Sequence, residues 1–271
     1  MSQPFTASHI APFFDTWAPE RTQAAYDNSG LLVGSPSEPI NGILTCLDVT
    51  HAVVDDALEQ RANLIVAHHP LLFQKISRIR PDDHLGSLLY RLIRENLLVY
   101  AAHTNLDAAL RGVSCLLGEV LGLRDVRILA PEPAGHGFGA IGTLPEAEPA
   151  EAFLERVAVR LNAKGVRHAG GGIIRTVAVC GGSGALLIPD AIRAGADAYV
   201  TADIKYHDFF HGASDFLLVD AGHYETEFPC VDLLRRELSA AFPGVPVRAT
   251  RHVTNPIQYS TASITHSPAT V

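Results

Sequence analysis

Three short segments of this chain carry side chains that bind metals, and each follows an apolar run. Leu64-Ile65-Val66 leads into Ala67-His68-His69-Pro70. Residues 96–102 lead into His103-Thr104-Asn105-Leu106-Asp107. Residues 216–219 lead into Asp220-Ala221-Gly222-His223, with Glu227 four residues further on. Such runs read as buried strands, and in an open α/β sheet ligands bind beyond the strands' carboxyl ends. Imidazole nitrogen and carboxylate oxygen suit zinc, iron, manganese, cobalt or nickel, and a set without thiolate is not the usual structural zinc type. His223 and Glu227 share a face at the first turn of a helix. His103 and Asp107 have the same spacing across a strand-to-helix turn. His68, His69, His103, Asp107, His223 and Glu227 make six candidate ligands. That exceeds the needs of one open catalytic ion and suits two ions with water between them. Asp107 or Glu227 could bridge, since each has two oxygens.

Taken singly, each motif has a plainer explanation. His68-His69 could be a turn held by backbone hydrogen bonds, His103 a capping residue, and His223 with Glu227 a helix-surface pair. Together they favour a metal site, because three unrelated turns rarely carry ligand-type residues at the same strand end by chance.

The intervening sequence must position these ends. An amphipathic helix is expected over residues 6–17, a strand over 42–49, and a helix from His51 capped by Thr50. A strand over 64–67 and a helix over 84–95 follow, with Leu85, Leu88, Leu89 and Leu92 on one face. Then come a strand over 97–102 and a helix over 112–121. The alternation predicts a mostly parallel sheet. Composition shifts at Pro131-Glu132-Pro133-Ala134-Gly135, and a second strand-helix series follows. A shared site for His223, Glu227, His68 and Asp107 requires the end of the chain to return to the first unit. The expected fold is therefore α/β, with residues 1–131 plus 216–271 as a metal-binding unit. Residues 132–215 are expected as a second α/β unit inserted into the first, and the metal site is expected at strand carboxyl ends.

Gly181-Gly182-Ser183-Gly184 could cradle a phosphate, but it lacks the lysine of a P-loop, and a tight turn is the safer reading. Asp27-Asn28-Ser29-Gly30 is turn chemistry whose Asp27 and Asn28 could also line a pocket. Asp203, Lys205 and His207 follow a predicted strand over 198–201. They could face the metal site across a cleft or simply begin a helix.

The 271 residues are 47% hydrophobic and 18% charged, enough to bury a core. No apolar run approaches the ~18 residues of a membrane span. The first residues have no cationic start and no long apolar run, so a cytoplasmic protein without a secretory signal is expected. The net charge of −8 disfavours nonspecific nucleic-acid binding, yet a metal could still hold a phosphorylated substrate. Cys46, Cys115, Cys180 and Cys230 form no CxxC pair and read as buried, inert thiols. The tail after Ser260 is Ser/Thr-rich and expected to be loose.

AYDNSGLLVG, CLDVT, VAHHPLLF, VYAAHTNLDAA, GGSG, TADIKYHDF, DAGHYETE and TNPIQY occur in this order between Tyr26 and Tyr259. Together they resemble the Nif-three-like dinuclear-metal family, whose bacterial members are commonly called GTP cyclohydrolase 1 type 2 homologs. The resemblance implies ligands at His68, His69, Asp107, His223 and Glu227, with His103 a near neighbour, which revises six ligands to five. It also implies a toroidal homohexamer, a trimer of dimers, with its sites facing an internal cavity. The chain resembles the shorter members, which lack a further inserted domain.

The expected function is hydrolysis of a nucleotide or related small molecule, GTP among them, at two divalent ions per chain. His207, His103 or Lys205 would act as proton donor or anion contact. The rival reading is a non-catalytic metal-binding or assembly protein.

Overall fold

The computed structural model describes residues 5–132 and 135–260. Residues 133–134 of the expected boundary and the tail from 261 onward lie outside the described residues. The chain opens with α1 (Ile10–Trp17), then β1 (Gly30–Val33), β2 (Ile43–Cys46), α2 (His51–Glu59), β3 (Leu64–Ala67), α3 (His84–Arg94) and β4 (Leu98–Ala101). A one-turn α4 (Thr104–Asp107), α5 (Val113–Leu121), β5 (Arg124–Pro131), β6 (Gly137–Pro149), α6 (Ala150–Arg160), β7 (Arg167–Ala169) and β8 (Ile173–Ser183) follow. The remainder is α7 (Ile188–Arg193), β9 (Ala198–Ala202), β10 (Leu217–Asp220), α8 (His223–Glu227), α9 (Pro229–Ala241) and β11 (Val247–Ala249).

The first sheet runs β1-β4-β3-β2-β11, all parallel except β1. Every residue of β2, β3 and β4 is buried, as near-continuous apolar strands covered on both faces must be. On one face Ile43, Leu64, Val66 and Tyr100 pack with Ile10 and Phe14 of α1 and Leu234 and Leu238 of α9. On the other, Leu44, Ile65 and Val99 meet Val53 of α2 and Leu88 and Leu92 of α3. Thr50 caps α2, its hydroxyl accepting from the Val53 N–H, as its sequence position predicts.

The second sheet runs β5-β6-β8-β9-β10-β7. Only β8, β9 and β10 are mutually parallel; β5–β6, β6–β8 and β10–β7 are antiparallel. The expectation of mostly parallel sheets therefore fails here. The short link from β5 to β6 permits only an antiparallel pair, because a parallel crossover needs a dozen or more residues. Helices α5 and α6 cover one face and α7 the other.

Sheet membership also differs from the expected boundaries. Both β5 and β10 hydrogen-bond into the second sheet, Leu217 pairing Ala198 and Arg124 pairing Thr143. The chain then returns to the first sheet through α9 and β11, with Val247 opposite Ile43. Residues 124–131, where no strand was expected, and 217–220 were assigned in sequence to the first unit and belong to the second sheet. Among the described residues, no helix is long and apolar enough to cross a membrane.

Candidate metal centre

Strand ends of both sheets supply the cluster. Beyond β2 stands Asp48, beyond β3 His68 and His69, and beyond β4 His103, with Asp107 ending α4. From the second sheet, Asp203 follows β9, and His223 and Glu227 begin and end α8 just after β10. Three imidazoles are held in one way. His68 Nδ1 donates to the Ala102 carbonyl at 2.8 Å, His69 Nδ1 to Asp48 Oδ1 at 2.7 Å, and His223 Nδ1 to Asp203 Oδ2 at 2.7 Å. Carbonyl and carboxylate oxygens only accept, so each Nδ1 carries a hydrogen and each Nε2 is free to ligate.

Those Nε2 atoms converge on Glu227. Its Oε2 lies 2.9 Å from His69 Nε2 and 3.0 Å from His223 Nε2, and its Oε1 lies 3.7 Å from His68 Nε2. Asp107 Oδ1 is 3.6 Å from His68 Nε2. His69 and His223 bring their Nε2 atoms within 3.3 Å of each other. His68, His69 and Glu227 thus form a group that could hold a metal ion, their ligand atoms all within 4.8 Å.

The donor set fits a cation. Among the described residues, His68 Nε2 and Asp107 Oδ1 are buried polar atoms without a hydrogen-bond partner. Such orphans are costly unless something not hydrogen-bonded, such as an ion, satisfies them. Donors around a tetrahedral ion at ~2.1 Å stand about 3.4 Å apart, within the range of the contacts just given.

Without an ion, protons must take its place. Burial disfavours charge on His69, but Asp48 and Glu227 outweigh it and raise its pKa to about 10. His223 is likewise raised to about 9, Glu227 and Asp203 overcoming burial. Burial raises Asp107 to about 7; His68 pulls it down, while the negative charge of Glu227 adds to the rise. Burial would raise Glu227, but His68 and the other imidazoles hold it well below the usual carboxylate range.

Backbone shape serves the same site. Gly182 has φ +60°, and a Cβ there would stand 2.1 Å from Glu227 Oε1. These glycines therefore let the backbone lie against the Glu227 carboxylate. Gly181–Ser183 end β8, and the Gly184 N–H donates back to the Gly182 carbonyl at 3.0 Å, so the expected tight turn covers only Gly182–Gly184. Asp203 adopts φ 55°, a conformation Asp tolerates better than most residues, and there it accepts from both Ser183 and His223.

His103 lies beside this cluster, its ring 5.4 Å from that of His68 and 5.7 Å from that of His69. Its Nδ1 is taken by Asp27 at 2.7 Å, and Thr104 donates to the same carboxylate through its backbone and hydroxyl. Burial opposes charge on Asp27, yet these hydrogen bonds hold its pKa far below the usual value. Lys205 and His207 are exposed on a separate 3-10 turn, where His207 stacks against Phe210. Among the described residues, no hydrogen bond ties either to the cluster. The cysteines are free and buried, and burial pushes the Cys180 thiol up to about 12.

Sequence reasoning missed two carboxylates. It left Asp48 without a role and left Asp203 open between a cleft position and a helix start, without linking it to His223. The available signal was the pattern used elsewhere, an acidic residue directly after a buried strand.

The sequence profile of the Duf34/NIF3 (NGG1p interacting factor 3) family matches residues 5–256. The chain belongs to this family. It is 32% identical over 238 residues to the GTP cyclohydrolase 1 type 2 homolog of Clostridium acetobutylicum, covering 86% of this chain and 89% of that one. The Lactococcus lactis protein of the same name is 31% identical, covering 90% and 95%. Among solved structures, a hypothetical protein of Staphylococcus aureus superposes with TM-score 0.88 at 28% identity, over 95% of this chain and 100% of that one. A Bacillus cereus protein related to NIF3 gives 0.86 at 26% identity, over 96% and 100%. The resemblance read from the motifs is thus the family found by comparison, and the two-sheet α/β architecture is shared with its solved members.

Proposed function

We propose that this NIF3 family protein holds two divalent ions and hydrolyses a nucleotide or related small molecule. The observation that carries the two-ion reading is the division of Glu227. One oxygen sits with His69 and His223, and the other faces His68, which in turn neighbours Asp107. Each half offers three donor atoms, and Glu227 belongs to both. The ligands are His68, His69, Asp107, His223 and Glu227, with zinc, iron, manganese, cobalt and nickel all compatible.

Divalent ions supply an acidified water and polarise a scissile group. The chain's own residues orient and move protons around them. Asp48 and Asp203 hold two ligand imidazoles by Nδ1. Asp27 holds His103 so that its Nε2 is free for proton transfer beside the ligands. Lys205 and His207, two and four residues beyond Asp203, are assigned contact with a more distant part of the substrate. The exposed rings of Tyr26 and Phe73 stand 6.2 Å apart, and Phe73 is 6.0 Å from His103. They offer aromatic faces on which a base can stack, which supports a nucleotide substrate.

The name carried by the relatives makes GTP the first compound to try. Metal-loaded protein should be incubated with GTP and a panel of nucleotides and phosphoesters, with product masses recorded. Ring opening without phosphate release supports a cyclohydrolase, and phosphate release a phosphohydrolase. No turnover across the panel replaces this reading with a non-catalytic metal-binding or adaptor protein.

We further infer a cytoplasmic homohexamer, a trimer of dimers. Family membership and the largely exposed Tyr206 and Phe210 support self-association. Light scattering should give about six chains of 29.0 kDa, and a stable monomer contradicts it.

A further inference from the structure

A cavity of about 700 Å³ opens on a different face of α8 from the one that carries His223 and Glu227. Its floor is Tyr224 and Phe228, whose rings stack 5.0 Å apart at 22°. One wall is the end of α6 and the loop after it, with Arg160 and Lys164. The other wall is the strap of residues 253–259, ending in Tyr259, whose ring lies against Gly165. The strap is pinned where it passes α8. Thr254 donates to Asp48 at 2.7 Å, and Asn255 Nδ2 donates to Glu225 Oε1 at 3.0 Å.

The lining has a definite chemistry. Glu225 is 7% exposed; its Oε1 accepts from Asn255, and its Oε2, beside Gly222, makes no hydrogen bond among the described residues and is not a buried orphan. A carboxylate oxygen can only accept, so it calls for an N–H or O–H donor. Tyr224, Phe228 and Tyr259 offer ring faces. Arg160 and Lys164 enter no ion pair among the described residues, and together they favour a phosphate or carboxylate group. The volume is that of an ordinary small-molecule site, and neither His nor carboxylate ligands of the metal centre line it.

We propose that this cavity is a second binding site, separate from the metal centre, for a phosphorylated heteroaromatic molecule with ring N–H donors. Its ring lies on Tyr224 and Phe228 with its donors toward Glu225, and its phosphate meets Arg160 and Lys164. The site does not depend on any turnover at the metal centre.

The test is calorimetric titration of the intact, metal-loaded protein with GMP, AMP and inorganic phosphate. Saturable binding of a nucleotide is expected, weakened at least ~10-fold in the Arg160→Ala/Lys164→Ala double variant, with metal content unchanged. Glu225→Gln should weaken GMP, whose ring presents two adjacent N–H donors, more than AMP. The proposal is overturned if no nucleotide binds saturably into the millimolar range. It is equally overturned if the double variant binds like wild type, which would locate the ligand at the metal centre. Equal binding of phosphate and nucleotide also overturns it, because the rings would then contribute nothing.

Discussion

Glu227 Oε2 lies 2.9 Å from His69 Nε2 across 158 residues of sequence. The two residues come from strand ends of different sheets, so their meeting depends on the docking of both. The same carboxylate turns its other oxygen toward His68.

This geometry separates the two carboxylate ligands. Glu227→Ala should remove nearly all bound metal, since it serves both halves of the cluster. Asp107→Ala should retain about one ion of about two per chain, because among the described residues its ion-pair contact is with His68. Elemental analysis of each purified variant decides, and equal losses would count against the shared role of Glu227.

Asp48 and Asp203 hold the imidazoles of His69 and His223 and would act on a bound metal through them. Asp48→Asn and Asp203→Asn should each weaken metal binding roughly 10–100-fold, read by competition with a chelator. The overall fold, followed by circular dichroism, should not change. Wild-type affinity in both variants would show that the Nδ1 hydrogen bonds do not orient the ligands.

His103 and Asp27 should separate from the ligands kinetically. On a confirmed substrate, His103→Ala should keep its metal and lose roughly 10²–10⁴-fold in turnover. His68→Ala should lose metal and turnover together. Full activity in His103→Ala would transfer the proton role to another group, with His207→Ala the next variant to assay.

The metal-free protein should lose stability as pH rises. His69 and His223 have folded-state pKa values of about 10 and about 9, above the ordinary 6.5. Their contribution is complete below pH 6.5 and is lost as pH climbs through 9 and then 10. Asp107, raised from 3.8 to about 7, adds to the loss between those values. Metal binding has the opposite slope, because the imidazoles must release protons to ligate. The rise in Tm on adding zinc should therefore be larger at pH 8.5 than at pH 6. A smaller rise at the higher pH would show that these groups are not protonated in the metal-free state.

Gly182 should resist any side chain. Alanine would meet both a left-handed φ and the Glu227 carboxylate at 2.1 Å. Gly182→Ala should cost about 1–3 kcal/mol of stability and lower metal content. Ala at Gly195, where nothing lies within 4 Å although φ is also positive, provides the comparison for backbone strain alone. Equal effects on metal content at the two positions would remove the close approach from the explanation.

Much of this was legible in sequence, for local reasons. Residues 64–67 read as a strand because four apolar residues end at two histidines, and β3 spans those residues. Thr50 announced α2. The candidate ligands stood out because each group followed such a strand. What failed was non-local. β5 begins Arg-Asp-Val-Arg and buries only Leu129, and β7 has only three residues. Neither carries enough buried pattern to be seen without its partner. Nothing in residues 216–220 says which sheet β10 joins, because pairing partners lie elsewhere in the chain. Asp48 went unassigned and Asp203 was not linked to His223 for the same reason: a carboxylate that orients a histidine is recognised only by the hydrogen bond.

The central claim is a dinuclear centre divided by Glu227. Anomalous diffraction from crystals of the metal-loaded protein tests it directly. Two peaks are predicted, one among His68, Asp107 and Glu227 Oε1, the other among His69, His223 and Glu227 Oε2. A single peak, or none at these atoms in metal-replete crystals, contradicts it.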